Sequence, residues 1–88
     1  MDGIHIVYRQ NQLSHARLGK AVSRKYGNAV QRNIFKRHAK EVFRQHGIRN
    51  HSVDILMMPS RGQSAPISDI SSVIRLALDR LFSRLSSS

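Results

Sequence analysis

Three segments of the chain carry the residue pattern of β-strands. Ile4–Tyr8 is rich in β-branched and aromatic residues, and Ala16–Arg24 alternates in the two-residue period of a strand. A short polar stretch separates them, so we interpret the pair as an antiparallel hairpin. Ser52–Met58 is an almost continuous apolar run, which is typical of a strand buried on both faces, and Pro59 ends it.

Two further segments carry apolar residues at the three- and four-residue steps of an amphipathic helix. The first helix is expected over Asn28–His46, with Asn28 as its N-cap, and a glycine follows its end. The second helix is expected over Ser68–Leu85, with Ser68 as its cap. These elements predict an α+β (or α/β) two-layer sandwich, in which a mixed sheet carries both helices on one face.

Positive charge dominates the composition and points to a polyanionic partner. The 15 lysines and arginines outnumber the 5 acids, for a formal net charge of +10. Ten of these cations lie between Ala16 and Arg49, where Glu41 is the only acid. On the first helix a polar arc lies away from the apolar stripe, with Arg32 at its border, and consists of Asn33, Lys36, Arg37, Lys40 and Arg44. Cations one helical turn apart are separated by about 5.4 Å along the axis, which is close to the spacing of successive phosphates along a nucleic-acid strand. The alternative is a solvated face without a ligand.

Length and cysteine content limit the remaining classes. A chain of 88 residues supports one small core, so we predict a single RNA-binding domain over residues 1–88, with 85–88 as a flexible tail. The chain has no cysteine, which excludes disulfides and thiolate zinc sites. No apolar run approaches the roughly 20 residues of a bilayer span. We therefore expect a cytoplasmic protein with no membrane partner.

The stretch from Arg17 to Arg37, RLGKAVSRKYGNAVQRNIFKR, resembles the signature of the bacterial ribonuclease P protein subunit. In that family, a strand ending in Val-Ser-Lys/Arg-Lys leads through a Gly-Asn-Ala-Val turn into a basic helix of the Arg-Asn-Arg-x-x-Lys-Arg type. The strand Asp54–Met58, the following Arg61 and Gly62, and the final amphipathic helix are also similar to the family. The resemblance covers nearly everything from about Tyr8 onward.

Two features depart from the family pattern. Ile34 stands where the second arginine of the Arg-Asn-Arg set is usual, and Lys40 stands where an arginine is usual, which removes a bidentate donor. The family also opens with a basic helix that forms one wall of a cleft, and that segment is not among the 88 residues. Either the first methionine is internal to a longer frame or the chain is a shortened member.

The resemblance implies both a fold and a function. The fold is that of the second domain of a small-subunit ribosomal protein, with a left-handed crossover between parallel strands. The function is that of the protein subunit of ribonuclease P, which binds the catalytic RNA and the 5′ leader of precursor tRNA during tRNA 5′-end maturation. The RNA carries out the hydrolysis with Mg²⁺, so we expect no catalytic residue and no metal ligand in this chain. The five acids are also scattered along the sequence rather than clustered.

The resemblance also assigns residues to the two RNA ligands. Those expected to contact the catalytic RNA are Arg24, Lys25, Asn28, Arg32, Asn33, Lys36, Arg37, Lys40 and Arg44. Those expected to contact the leader are Tyr8, as a stacking platform, together with Arg17 and Lys20. Tyr8 equally fits a core aromatic at the edge of a strand.

Three other functional classes remain as alternatives. A ribosomal or general structured-RNA-binding protein has the same charge and fold class but not this turn and helix spacing. A nuclease that uses the five histidines as acid and base is a second alternative. A helix-turn-helix DNA reader is disfavoured by the strands. We also expect apolar surface on the sheet face that no helix covers, and self-association through it.

Overall fold

Three strands and two long helices make up the computed structural model, which describes residues 3–60, 63 and 66–86. In chain order the elements are β1 (Ile4–Gln10), β2 (Arg17–Lys20), α1 (Ala29–Arg44), a short 3₁₀ helix (Gly47–Asn50), β3 (Val53–Pro59) and α2 (Ile70–Ser86). This order confirms the predicted α+β class. Among the described residues, no helix has both the length and the apolar character that a bilayer span requires.

The sheet has the order β1-β3-β2, so the predicted hairpin between the first two strands is wrong. β1 runs antiparallel to β3 and β2 runs parallel to it, which makes the sheet mixed as expected. The most apolar strand takes the central position because that position buries the most side-chain surface. The connection after β1 is long enough to pass the end of β3, and Asn11 N–H donates to Ser52 O there (2.9 Å).

The two faces of the sheet differ in burial. On the inner face, α1 lies against β2, α2 lies against β1, and the helices contact each other. Val53, Ile55 and Met57 of β3 point into this core and are 0–3% exposed. On the opposite, outer face Leu56 is 39% exposed, so the prediction that β3 is buried on both faces is wrong. Both helices pack on one side, and no described element covers the other.

The helix boundaries follow the caps. Asn28 is the N-cap of α1 as predicted, and its Oδ1 accepts the N–H of Gln31 at 2.9 Å. The helix ends at Arg44 rather than His46, because His46 is extended and its Nδ1 accepts the N–H of Ile48 (3.0 Å). This bond starts the 3₁₀ helix.

The second helix begins at Ile70, two residues after the predicted cap Ser68. Asp69 has a positive φ of 49°, and its carbonyl accepts the first helical N–H groups. The turn at Asp69 therefore separates Ser68 from the helix. At the other end Leu85 and Ser86 still belong to α2, so the prediction that they are part of a flexible tail is wrong. Residues 87 and 88 lie outside the described part, as do 61, 62, 64 and 65 of the predicted loop.

β2 is shorter than the predicted Ala16–Arg24 because the chain turns to bury Tyr26. The N–H of Tyr26 donates to Ser23 O (3.1 Å), and the side chain is only 3% exposed. Its ring meets Phe35 edge-on at 5.4 Å, and its hydroxyl oxygen accepts the N–H of Ile67 (3.1 Å). Tyr26 thus joins the start of α1 to the segment before α2.

Candidate nucleic-acid interface

The exposed side of α1 forms a rigid cationic surface. On the opposite side of the helix, Phe35 and Ala39 are fully buried and Val42 is nearly so, which fixes the orientation of the helix on the sheet. The outward residues are exposed except for the half-buried Lys36; we call them the cationic face of α1, and they are Asn33, Lys36, Arg37, Lys40 and Arg44. The sequence prediction of a basic arc opposite an apolar stripe is confirmed.

Most cations of this face have no counter-charge in the part of the chain that the structure describes. Lys36, Arg37 and Lys40 form no ion pair with any carboxylate that the structure describes. Arg44 donates to Glu41 at 2.5 Å, and this hydrogen bond lowers the pKa of the Glu41 carboxyl. Glu41 therefore neutralises one end of the face and leaves three charges for an external anion.

Residues at the start of α1 have structural contacts as well. Arg32 donates through Nη1 to the carbonyl of Gly27 (2.8 Å), which holds the turn before the helix. Asn28 is occupied as the N-cap. Arg24 and Lys25 are exposed in that turn, which precedes the first residue of α1 in sequence. Nothing in the structure tests their assignment to the catalytic RNA, which stays a prediction.

The three residues assigned to the leader are not brought together. Tyr8 lies on β1 and Lys20 on β2, at opposite edges of the sheet with β3 between them. Arg17 lies on the outer face, where its Nη2 donates to Asp54 Oδ2 at 2.7 Å. The three side chains therefore belong to three different surfaces, and their joint role in leader binding stays a prediction.

Tyr8 lines a groove between β1 and α2, which we call the aromatic groove. The side chain is 37% exposed, although it shares the inner face with Ile4 and Ile6. The groove has a volume of about 250 Å³, and Arg80 and Arg84 line it as well. Tyr8 also lines a second cavity of about 630 Å³, together with Gln10, Val53 and Leu85.

The sequence analysis did not single out these two arginines as candidate site residues. Arg80 and Arg84 are four residues apart, and they line the same groove as the apolar residues Ala77 and Leu81. The four-residue spacing indicates that both arginines lie on one side of α2, at the border of its buried stripe.

Two of the described histidines contact polar side chains of α2. No three metal-ligating side chains come together among the described residues. His38 Nδ1 lies 2.7 Å from Ser71 Oγ, and His46 Nε2 lies 2.7 Å from Asp79 Oδ1. Because His46 also caps the 3₁₀ helix through Nδ1, both of its nitrogens are engaged in structural contacts.

This fold and the cationic face of α1 define an α+β protein with a surface suited to a nucleic-acid ligand. A sequence model of the Ribonuclease P family matches residues 2–85. The chain belongs to the ribonuclease P protein family.

Individual relatives agree with this assignment. The ribonuclease P protein component of Thermotoga maritima is 39% identical over 57 residues, which cover 64% of this chain and 49% of that protein. A solved RNase P protein from the same organism matches with a TM-score of 0.77 at 30% identity, over 92% of this chain and 76% of that one. The Staphylococcus aureus RNase P protein matches with a TM-score of 0.73 at 27% identity, over 97% and 76%. The sequence match spans about half the length of the curated relatives.

Proposed function

We propose that this chain is the protein subunit of a ribonuclease P holoenzyme and binds the catalytic RNA through the cationic face of α1. The assembled complex removes the 5′ leader of precursor tRNA, and this chain also contacts the leader. Hydrolysis belongs to the catalytic RNA and its Mg²⁺. The residues of the cationic face supply phosphate contacts and position the RNA rather than react with it.

The observation that carries the proposal is the set of unpaired cations on α1. Lys36 and Arg37 are held on a helix whose other side is fully buried, and no described carboxylate neutralises them. The helix backbone fixes the spacing of these cations, and because no described carboxylate pairs with them, they contact phosphates without first breaking an internal ion pair. A solvated face would more often carry interspersed acids, as Glu41 does beside Arg44.

The first test is the affinity for the catalytic RNA as a function of salt. Lys36→Ala and Arg37→Ala, singly and together, should weaken binding and reduce the slope of log affinity against log salt. The reduction should be about 0.7 to 0.9 for each phosphate that the variant no longer binds. Arg75→Ala is the matched control, since it removes an exposed cation of α2 that forms no ion pair in the described part. An unchanged salt slope in the double variant would show that the cationic face is only solvated and does not contact the catalytic RNA.

The second test separates the proposed subunit from the alternatives. Precursor tRNA is incubated with Mg²⁺ and with the catalytic RNA alone, the protein alone, or both. We expect faster cleavage with both than with RNA alone, and none with protein alone. Cleavage by the protein alone indicates a self-sufficient nuclease, and RNA binding without any effect on cleavage indicates a general structured-RNA-binding protein.

A further inference from the structure

A second groove, which we call the cationic groove, lies between β2 and the C-terminal half of α1. Its volume is about 340 Å³, and its lining residues are Leu18, Lys20, Lys40, Phe43, Arg44 and Arg49. Four of the six are cations. Lys40 and Arg44 also belong to the cationic face of α1, so the groove continues that face toward the sheet.

Lys20 occupies an unusual position for a charged residue. It pairs in register with Met57, as Leu18 pairs with Ile55, so both side chains lie on the inner face that packs against the helices. Lys20 is half-buried, and no carboxylate of the described chain lies within ion-pair distance. A lysine in this position covers apolar surface with its stem and carries its ammonium to the groove, where it is available to a bound anion.

The two arginines of the groove are held in place by the end of α1. Arg49 donates through Nη1 to the carbonyl of Arg44 (2.7 Å), and Arg44 is paired with Glu41. The charges left for a ligand are therefore concentrated on Lys20, Lys40 and Arg49. They come from a strand, a helix and the 3₁₀ helix, so the fold alone brings them to one place.

Phe43 gives the groove an aromatic wall. The side chain is half-buried and packs against the edge of the core. The ring pairs of the described chain, such as Tyr26 with Phe35 and His46 with Phe82, do not include it. A ring that is fixed on one side and stacked on no aromatic neighbour is a suitable platform for a nucleobase.

We propose that the cationic groove binds one unpaired nucleotide of RNA, with its base against Phe43 and Leu18 and the phosphates on either side of it at Lys20, Lys40 and Arg49. The proposal rests on the proposed RNA-binding function and deepens it by naming the structural class of nucleotide. A paired base does not fit, because its faces are already stacked inside the duplex. The groove is thus a contact separate from Tyr8, on the other edge of the sheet.

The experiment measures binding of a fluorescein-labelled uridine tetranucleotide to the full 88-residue chain by anisotropy. Lys20→Met keeps the length of the side chain and removes the charge, and it should weaken binding and lower the salt slope by about 0.7. Phe43→Leu keeps an apolar side chain and removes the aromatic face, and it should weaken binding about tenfold. Arg75→Met, the matched control on α2, should change affinity by less than about twofold.

Two additional probes distinguish a nucleotide from a phosphate alone. An abasic tetranucleotide with the same phosphates should bind about tenfold more weakly than the uridine one, and it should not respond to Phe43→Leu. A blunt duplex of equal charge should not respond to Phe43→Leu either. Equal binding of the abasic and uridine probes overturns the base contact, as does unchanged uridine binding in both variants. Melting curves of each variant confirm that the fold is retained.

Failure of this proposal and failure of the proposed function give different results. If the cationic groove does not bind a nucleotide, Lys20→Met and Phe43→Leu leave oligonucleotide affinity unchanged, while Lys36→Ala and Arg37→Ala still weaken binding to the catalytic RNA. If the proposed function is wrong, the second pair has no effect on the catalytic RNA, whatever the affinity for the oligonucleotide.

Discussion

Asp54 joins all three strands on the outer face of the sheet. Its carboxylate accepts hydrogen bonds from Arg17 (2.8 and 2.7 Å) and Asn11 (2.9 Å), and Arg9 lies 3.8 Å away. The hydrogen bond from Arg17, then that from Asn11, and the charges of Arg17 and Arg9 lower the pKa of Asp54 well below its ordinary 3.8. The Asp54 carboxyl therefore binds a proton less readily in the folded state than in the unfolded state. The contacts of the carboxylate stabilise the fold in full at pH values above the ordinary pKa of 3.8, and this stabilisation is lost as the pH falls below that value.

This residue gives a pH-dependent prediction. Asp54→Asn should melt at a lower temperature than the wild type at pH 7, and the difference should narrow as pH falls below about 4. Melting curves from about pH 7 down to about pH 2 measure it. The control Asp69→Asn removes the same charge from a residue that forms no ion pair within the described chain, and Asn tolerates its φ of 49°. A gap between wild type and Asp54→Asn that is constant over this range would contradict the assignment.

Tyr8 gives a prediction about the leader. Tyr8→Ala should reduce affinity for precursor tRNA in the holoenzyme by about 1–3 kcal/mol and leave mature tRNA unaffected, because only the precursor offers a base to stack. Tyr8→Phe should keep most of the affinity. The 37% exposure of Tyr8 allows such a contact, although its strand register places it on the inner face. A large fall in melting temperature, or an equal loss for both tRNAs, would identify Tyr8 as a core residue only.

At the scale of elements, α1 depends on its N-cap. Asn28→Ala removes the acceptor for the N–H of Gln31 and should destabilise the protein by about 1 kcal/mol, with a melting temperature lower by about 4–8 °C. Asn28→Ser retains a capping oxygen and should melt close to the wild type. If Asn28 also contacts the catalytic RNA, Asn28→Ser should weaken RNA binding without loss of stability. Equal melting of the wild type and Asn28→Ala would contradict the capping role.

At the scale of the whole molecule, the outer sheet face and the net charge act against each other. Val7 and Leu56 face each other in register and are 50% and 39% exposed, while the formal charge of +10 repels a second copy. We expect self-association at high micromolar concentration once salt above about 0.5 M screens the charge. Val7→Lys should reduce it. Sedimentation that stays monomeric at every salt concentration would contradict this prediction.

Local sequence determined the elements because their signals lie within a few residues of each other. The cap at Asn28, the stripe of Phe35, Ala39 and Val42, and the cluster of cations on α1 depend only on helical periodicity and side-chain chemistry. The resemblance in the turn and basic helix likewise lies in contiguous sequence. These features were therefore predictable, with errors of about two residues at the helix ends.

Tertiary structure decided the order of the strands and the surfaces that depend on it. Each strand pattern fits a central or an edge position, and only the competition for burial places β3 between β1 and β2. That order separates Tyr8 from Lys20 and turns Lys20 toward Phe43. It also brings Arg80 of α2 to the groove beside Tyr8. Sequence periodicity fixes which face of an element is apolar, whereas contacts between distant segments fix which charged residues share a groove.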